Sequence, residues 1–296
     1  MIIGPKSNHK VKGNEIYNNL RYGTVKLHAI NNQGGESLGT GFFFYVKIDE
    51  EKICPLLVTN RHMIADGKKI ENWSSLWFNL NKADAAGEPL LGDVVRITLN
   101  NTPEQLRLIH PDVDLCAFPI CGVIKSIEDG GTKLFYRDIP EAFIPTKAEA
   151  ETISSIEEII MIGYPDGMSD ETHNLPIVRR GITATDFKID YEGKKEFLID
   201  ASIFKGSSGS PVLICNIGSF NNQKGELCLG DRVFFLGVQY RGEFSKFQDN
   251  IYLRDPKGNY HNSPDILSAY FNDLGFCVKS ECLYYFRDEI IRQGWA

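Results

Sequence analysis

Short strand-like runs separated by turns recur along this chain, and the first alternates polar and apolar residues with a period of two, the pattern of a strand with one buried face. Thr24-Val25-Lys26-Leu27-His28-Ala29-Ile30 is the first such run, and His28 is an ordinary member of it. Strands are predicted next at about 40–48, 52–59, 75–80, 94–99 and 114–120, with a polar insertion at about 81–92. A turn rich in Asn and Gly covers 31–38. Six short strands with turns between them fit a small antiparallel barrel. Residues 122–150 are charged, hold Gly130-Gly131 and two prolines, and read as a linker. A second strand series starts near Glu157, with runs at 158–162, 177–182, 196–199, 210–214 and 232–238, and predicts a second barrel.

The ends differ. Residues 1–13 read as a loose arm, and Asn14 is placed to cap a short helix through Tyr22. Residues 264–272 look helical. Ser280 is placed to cap a last helix with Leu283, Phe286, Ile290 and Ile291 on one face and Gly294 at its end. That face is expected to pack on the second barrel, with a partner-binding face as the alternative. The expected organisation is an arm and helix over 1–22, a first barrel over 23–121, a linker over 122–150, a second barrel over 151–255 and a helical segment over 256–296.

Composition narrows the class. The 296 residues are 42% hydrophobic and 24% charged, as in a globular chain of one large or two small domains. A net charge of −7 with no long basic run gives nucleic acid no electrostatic footprint. No apolar stretch approaches the roughly 20 residues that span a bilayer as a helix. The seven cysteines, Cys54, Cys116, Cys121, Cys215, Cys228, Cys277 and Cys282, are odd in number, and several sit in apolar runs. Reduced thiols are expected, with neither a disulfide framework nor a zinc site. The first ten residues lack the basic segment and apolar core of a secretory signal, so a cytoplasmic location is expected. No cofactor is expected.

Candidate chemistry gathers at three places. Phe204-Lys205-Gly206-Ser207-Ser208-Gly209-Ser210-Pro211 is a loop of small residues before the apolar run Val212-Leu213-Ile214. Glycines there let the backbone turn tightly and present bare N–H groups. An acyl-transfer enzyme needs a hydroxyl nucleophile beside such groups. Leu57-Val58-Thr59-Asn60-Arg61-His62 is an apolar strand running into a histidine, and His110-Pro111-Asp112-Val113-Asp114-Leu115 brings two aspartates to the mouth of another. A serine hydroxyl needs a base to take its proton. A histidine serves near neutral pH, and a carboxylate on its other nitrogen fixes the tautomer. Asp112 and Asp114 compete for that place, since a strand points both to one face. Ser207 and Ser210 compete with Ser208.

These segments, in the order His, Asp, Ser, resemble the trypsin-like serine peptidases of the chymotrypsin fold, and among them the bacterial high-temperature-requirement type. Gly39-Thr40-Gly41-Phe42-Phe43-Phe44, Asp200-Ala201-Ser202-Ile203, and the pair Ile162-Gly163-Tyr164-Pro165-Asp166-Gly167 and Gly181-Ile182-Thr183-Ala184 are similar to that family's motifs. The resemblance covers about residues 22–255. It implies an all-β fold of two six-stranded antiparallel β-barrels with a C-terminal helix. It implies a triad of His62, Asp114 and Ser208, because the family's aspartate directly precedes such a strand and its serine has glycine two before and one after. It places the oxyanion hole at the N–H groups of Gly206 and Ser208. Ile203 then lies near the S1 pocket, and Val238, Gln239 and Tyr240 lie on the strand that pairs with substrate backbone. An apolar pocket prefers small or medium aliphatic side chains; Arg241, if turned inward, permits an acidic one, and otherwise is solvated.

Two departures stand out. Ser207 occupies the place where digestive enzymes carry an aspartate that pairs with a processed N-terminus, so Ile2-Ile3-Gly4 is not expected to act as a switch. Ser210 replaces the usual second glycine. The expected function is a serine endopeptidase acting on polypeptides through an acyl-enzyme. A peptidase that waits for an activating or target protein refines it, and a silent peptide-binding or scaffolding module is the alternative. Neither nucleic acid nor membrane is an expected partner.

Overall fold

The computed structural model describes residues 13–49, 52–65, 73–102, 106–254 and 260–295, with backbone only for 13–15, 244–254 and 260–272. The arm before residue 13, including Ile2-Ile3-Gly4, lies outside the described residues.

Two β units carry the chain. The first is a nine-stranded sheet. Its path runs Pro89–Asn100, Trp73–Ala83, Thr24–Asn31, Glu36–Lys47, Ile53–Thr59, Cys116–Pro119, Leu108–Ile109. Leu134–Phe135 adds beside Trp73–Ala83, and Ile139–Pro140 beside Glu36–Lys47. The period-two pattern has its predicted cause here: Val25, Leu27 and Ala29 are buried in alternation. The expected closure of this unit into a six-stranded barrel is not found among the described residues. One end of the path is a strand of two residues, Leu108–Ile109, too short for a ladder back to the other end.

The second unit does close. Glu158–Gly163, Ile177–Thr183, Glu196–Asp200, Tyr260–Lys279, Arg232–Arg254 and Pro211–Asn216 form a six-stranded barrel in that order. Its closing strand corrects the helical reading of residues 264–272. Those residues pair antiparallel with the strand before them, from Phe244 opposite Phe271 to Arg254 opposite Tyr260. Cross-strand pairing overrides local pattern, as strand preference depends on context.

The stretch expected as a linker is structured. It carries the helix Cys121–Asp129, both short added strands, and the helix Lys147–Ala150. Thr146 and Glu149 open that last helix with a reciprocal capping box.

One core spans both units. Phe42, Phe44 and Val46 of the open sheet meet Leu213, Phe235 and Val238 of the barrel, with the Phe42 and Phe235 rings edge-on at 5.4 Å. Burying each such side chain stabilises the fold by about 1.5–3 kcal/mol. The helix Gly13–Arg21 adds Ile16 and Leu20, and the C-terminal helix Tyr284–Arg292 adds Phe286 and Ile290 behind Leu283. The C-terminal helix thus packs on the shared core rather than on the barrel alone. Ile291 is exposed, off the predicted face. Ser280 opens a 3-10 turn and its hydroxyl caps no helix N–H, while Gly294 at φ +68° follows the helix end. All seven cysteines are free thiols, and burial pushes Cys54 up to about 12.

Candidate active site

Glycine geometry builds the serine loop. Gly206 and Gly209 hold φ of +85° and +90°. A Cβ on Gly209 would lie 1.8 Å from the Thr40 carbonyl oxygen, and one on Gly206 2.6 Å from that of Tyr164. No larger residue fits either position. The loop is pinned to the open sheet through Thr40, which is fully buried. The Thr40 N–H donates to the Ser208 carbonyl at 2.8 Å, and its hydroxyl donates to the Gly206 carbonyl at 3.0 Å. That hydroxyl accepts from the Tyr164 N–H at 3.1 Å, and Thr59 Oγ1 donates to the Thr40 carbonyl at 2.8 Å.

The histidine and the aspartate are already joined. His62 stands in the 3-10 turn Arg61–Met63, just after the strand Ile53–Thr59. Its Nδ1 lies 2.6 Å from Asp114 Oδ2, and its backbone N–H donates to Asp114 Oδ1 at 2.9 Å. A carboxylate only accepts, so Nδ1 carries the proton and the neutral ring keeps its lone pair on Nε2. Asn60 Nδ2 donates to the Asp114 carbonyl at 2.8 Å. Asp112 stands apart: its N–H and that of Val113 donate to His110 Nδ1, shaping the turn that presents Asp114. Of the two aspartates, Asp114 is the one that meets His62.

The serine points elsewhere. Ser208 Oγ donates to the Tyr240 carbonyl at 3.2 Å, and among the described residues no hydrogen bond joins it to His62. Tyr240 is the extra residue of a bulge, between Gln239 opposite Cys277 and Arg241 opposite Phe276. Among the described residues the N–H groups of Gly206 and Ser208 enter no hydrogen bond, as a receptive pair of donors requires. Ser207 and Ser210 are both buried. Ser207 Oγ accepts from Arg179 Nη2 at 3.0 Å and from the Phe204 N–H at 3.3 Å. Ser210 Oγ donates to Thr40 Oγ1 at 3.4 Å.

The residues expected to bind substrate are placed less openly. Ile203 is buried in the barrel core, against Gly242 and Gly275. Val238 is buried between Pro211 and Val278 in the ladder. Gln239 spends its N–H on the Ser210 carbonyl and its carbonyl on the Gly209 N–H. The backbone of these two is therefore committed within the barrel, because their strand is flanked on both sides. Tyr240 alone of the three is partly exposed. Arg241 turns outward over the Phe276 ring, 3.9 Å from its centroid, with a side chain 55% exposed. Sequence reasoning missed Thr40, Thr59, Asn60 and Arg179. The flanking glycines marked the Thr40 segment, but nothing local marked the hydroxyl's partners.

Among the described residues no cluster of His, Cys, Asp or Glu is arranged to hold a metal ion. No helix among them is long and apolar enough to cross a membrane.

The chain resembles several solved proteases. One is the HtrA-type protease AlgW with tripeptide, at 14% identity and a TM-score of 0.45, covering 96% of this chain and 65% of that one. The chain thus spans less than two thirds of that protein's length. Others are a serine endoprotease from Yersinia pestis, at 15% identity and a TM-score of 0.42 over 97% and 69% of the two chains, and tobacco etch virus protease complexed with product, at 12% and 0.42 over 80% and 78%. No curated protein matches the chain. The family model of the trypsin-like peptidase domain matches residues 39–220, from the segment that holds Thr40 past the serine loop. With more than half its length matched, the chain belongs to the trypsin-like peptidase family.

Proposed function

We propose that the chain is a serine endopeptidase. Ser208 Oγ attacks the peptide carbonyl, its proton passes to His62 Nε2, and Asp114 supports the resulting imidazolium. The N–H groups of Gly206 and Ser208 receive the oxyanion. His62 then protonates the leaving amine, and water, deprotonated by His62, hydrolyses the acyl-enzyme on Ser208. The observation that carries this reading is the Asp114 carboxylate bonded to both the ring and the backbone N–H of His62.

The hydrogen bond from Ser208 to the Tyr240 carbonyl describes a resting nucleophile. An extended polypeptide whose N–H takes that carbonyl frees the hydroxyl, and a side-chain rotation then carries it toward His62. Ile203, Val238 and Gln239 support that strand from the core. The seven free thiols favour a reducing compartment, in keeping with a cytoplasmic location.

The same parked hydroxyl favours a second reading, a silent peptide-binding module on a protease fold. Labelling of wild type and Ser208→Ala with a fluorophosphonate probe, read by intact mass, separates the two. Addition of one probe to wild type alone is the expected result. A folded wild type that stays unlabelled, with and without candidate partner proteins, would leave only the binding module.

A further inference from the structure

Arg179 is an unusual residue in this fold. On the strand Ile177–Thr183, exposed Val178, Arg180 and Ile182 alternate with less exposed Ile177, Arg179 and Gly181. Arg180 is a surface residue paired with Glu158. Arg179 points the other way, under the serine loop. Its Nη1 donates to the Ser202 carbonyl and its Nη2 to Ser207 Oγ at 3.0 Å. Its Nε is buried without a partner. Among the described residues it makes no ion pair with a carboxylate. A charge partly withdrawn from water with no carboxylate bonded to it costs free energy, and burial pulls this guanidinium down to about 10 although the nearby Asp166 carboxylate raises it.

Both bonded donors go to the turn that runs into Ser208. Ser202 stands near the start of the loop and Ser207 directly before the serine. Ser207 Oγ also accepts from the Phe204 N–H, and the Ser207 N–H donates to the Phe204 carbonyl at 3.1 Å. The guanidinium therefore clamps two ends of one turn. The two N–H groups on either side of Ser207, those of Gly206 and Ser208, enter no hydrogen bond among the described residues.

We propose that Arg179 is a positioning residue: a partly buried cation that clamps Ser202 to Ser207 and so holds the Gly206 and Ser208 N–H groups aimed at the reacting carbonyl oxygen. This rests on the serine-peptidase reading above. Arg179 touches no substrate; it acts through Ser207. The oxyanion-binding arrangement is then held from within the chain, by a residue on a neighbouring strand.

The test uses Arg179→Met, Arg179→Lys and Ser207→Ala, with Ser208→Ala as the blank. Thermal unfolding is measured alongside fluorophosphonate labelling rate, and kcat and KM are taken on an unstructured protein substrate. Loss of one oxyanion donor lowers kcat about 10²–10³-fold in related chemistry. Arg179→Met is expected to lower kcat by about 10²-fold with KM nearly unchanged. Added guanidinium ion restores part of that loss, and Arg179→Lys falls between the two. Ser207→Ala, which keeps the bond to Ser202, loses about tenfold in kcat. A merely structural arginine would shift unfolding with no guanidinium-dependent recovery of kcat. Wild-type kcat in folded Arg179→Met, or in Ser207→Ala where Arg179→Met does not fold, would overturn the proposal alone. A wild type that never labels would overturn the peptidase reading, and this proposal with it.

Discussion

The two halves of the candidate site are in different states of readiness. On the open sheet, His62 and Asp114 are locked by two bonds, at 2.6 and 2.9 Å. On the closed barrel, Ser208 has its backbone fixed by Thr40 but its hydroxyl turned to the Tyr240 carbonyl. The His62–Asp114 pair is joined, while the Ser208 hydroxyl is bonded elsewhere. On the serine-peptidase reading proposed above, that hydroxyl must leave the Tyr240 carbonyl before it acts, so the bulge that carries Tyr240 bears on the site.

The largest effects should come from breaking either half outright. Ser208→Ala and His62→Ala are each expected to lower kcat by about 10⁴-fold or more, and Asp114→Asn by about 10⁴-fold through the wrong tautomer, with unfolding temperature little changed. Retained hydrolysis in folded Ser208→Ala would end the peptidase reading. Next comes the loop itself. Gly209→Ala must place a methyl 1.8 Å from the Thr40 carbonyl oxygen at φ +90°. A loss of about 3 kcal/mol or more is expected in denaturant unfolding; an unchanged midpoint would mean the loop does not sit on Thr40. Thr40→Val keeps the shape but strips the hydroxyl from the Gly206 carbonyl and the Tyr164 N–H. About 1–3 kcal/mol of stability should be lost, together with activity, because the nucleophile half alone is loosened.

The smallest effect on hydrolysis is expected at Asp138. Burial raises the Asp138 carboxyl from its ordinary value to about 6, and its Oδ1 has no hydrogen-bond partner. A raised folded value means the native state holds the proton more tightly. The stabilising contribution of that proton is full below the ordinary carboxylate range and is lost as pH rises through about 6. Asp138→Asn should therefore raise stability at pH 8 by roughly 1–3 kcal/mol relative to its effect at pH 4. A pH-independent difference would remove the carboxyl from the account. Hydrolysis kinetics should not change.

Much of the fold was legible because the strands are short apolar runs between turns, some burying alternate residues, as Val25, Leu27 and Ala29 do, and some burying continuous runs, as Leu56, Leu57 and Val58 do. The serine loop was legible because the glycines that take positive φ stand two before and one after Ser208, as in the family motif it resembles, although a Gly/Ser turn by itself is common in β proteins. Residues 264–272 misled because a helix-like pattern there yields to a ladder with residues 244–249. Thr40 and Arg179 were invisible for a related reason. Thr40 meets Gly206 across 166 positions and Arg179 meets Ser207 across 28, so neither role exists until the chain has folded. The direction of the Ser208 hydroxyl depends on a carbonyl exposed by a bulge, which no spacing encodes.

The strand Tyr260–Lys279 has a consequence for the growing polypeptide. It closes the barrel by pairing with Glu196–Asp200 on one side and Arg232–Arg254 on the other. A ribosome releases it after the other five strands of the barrel. Until then the barrel has two open edges, and the bulge that holds Tyr240 lacks the partner that defines it. The His62–Asp114 pair is available once the first sheet has emerged, whereas the nucleophile's surroundings wait for distant pairing, which is slow to form. The surroundings of the Ser208 hydroxyl are thus completed only when the last strand of the barrel has emerged.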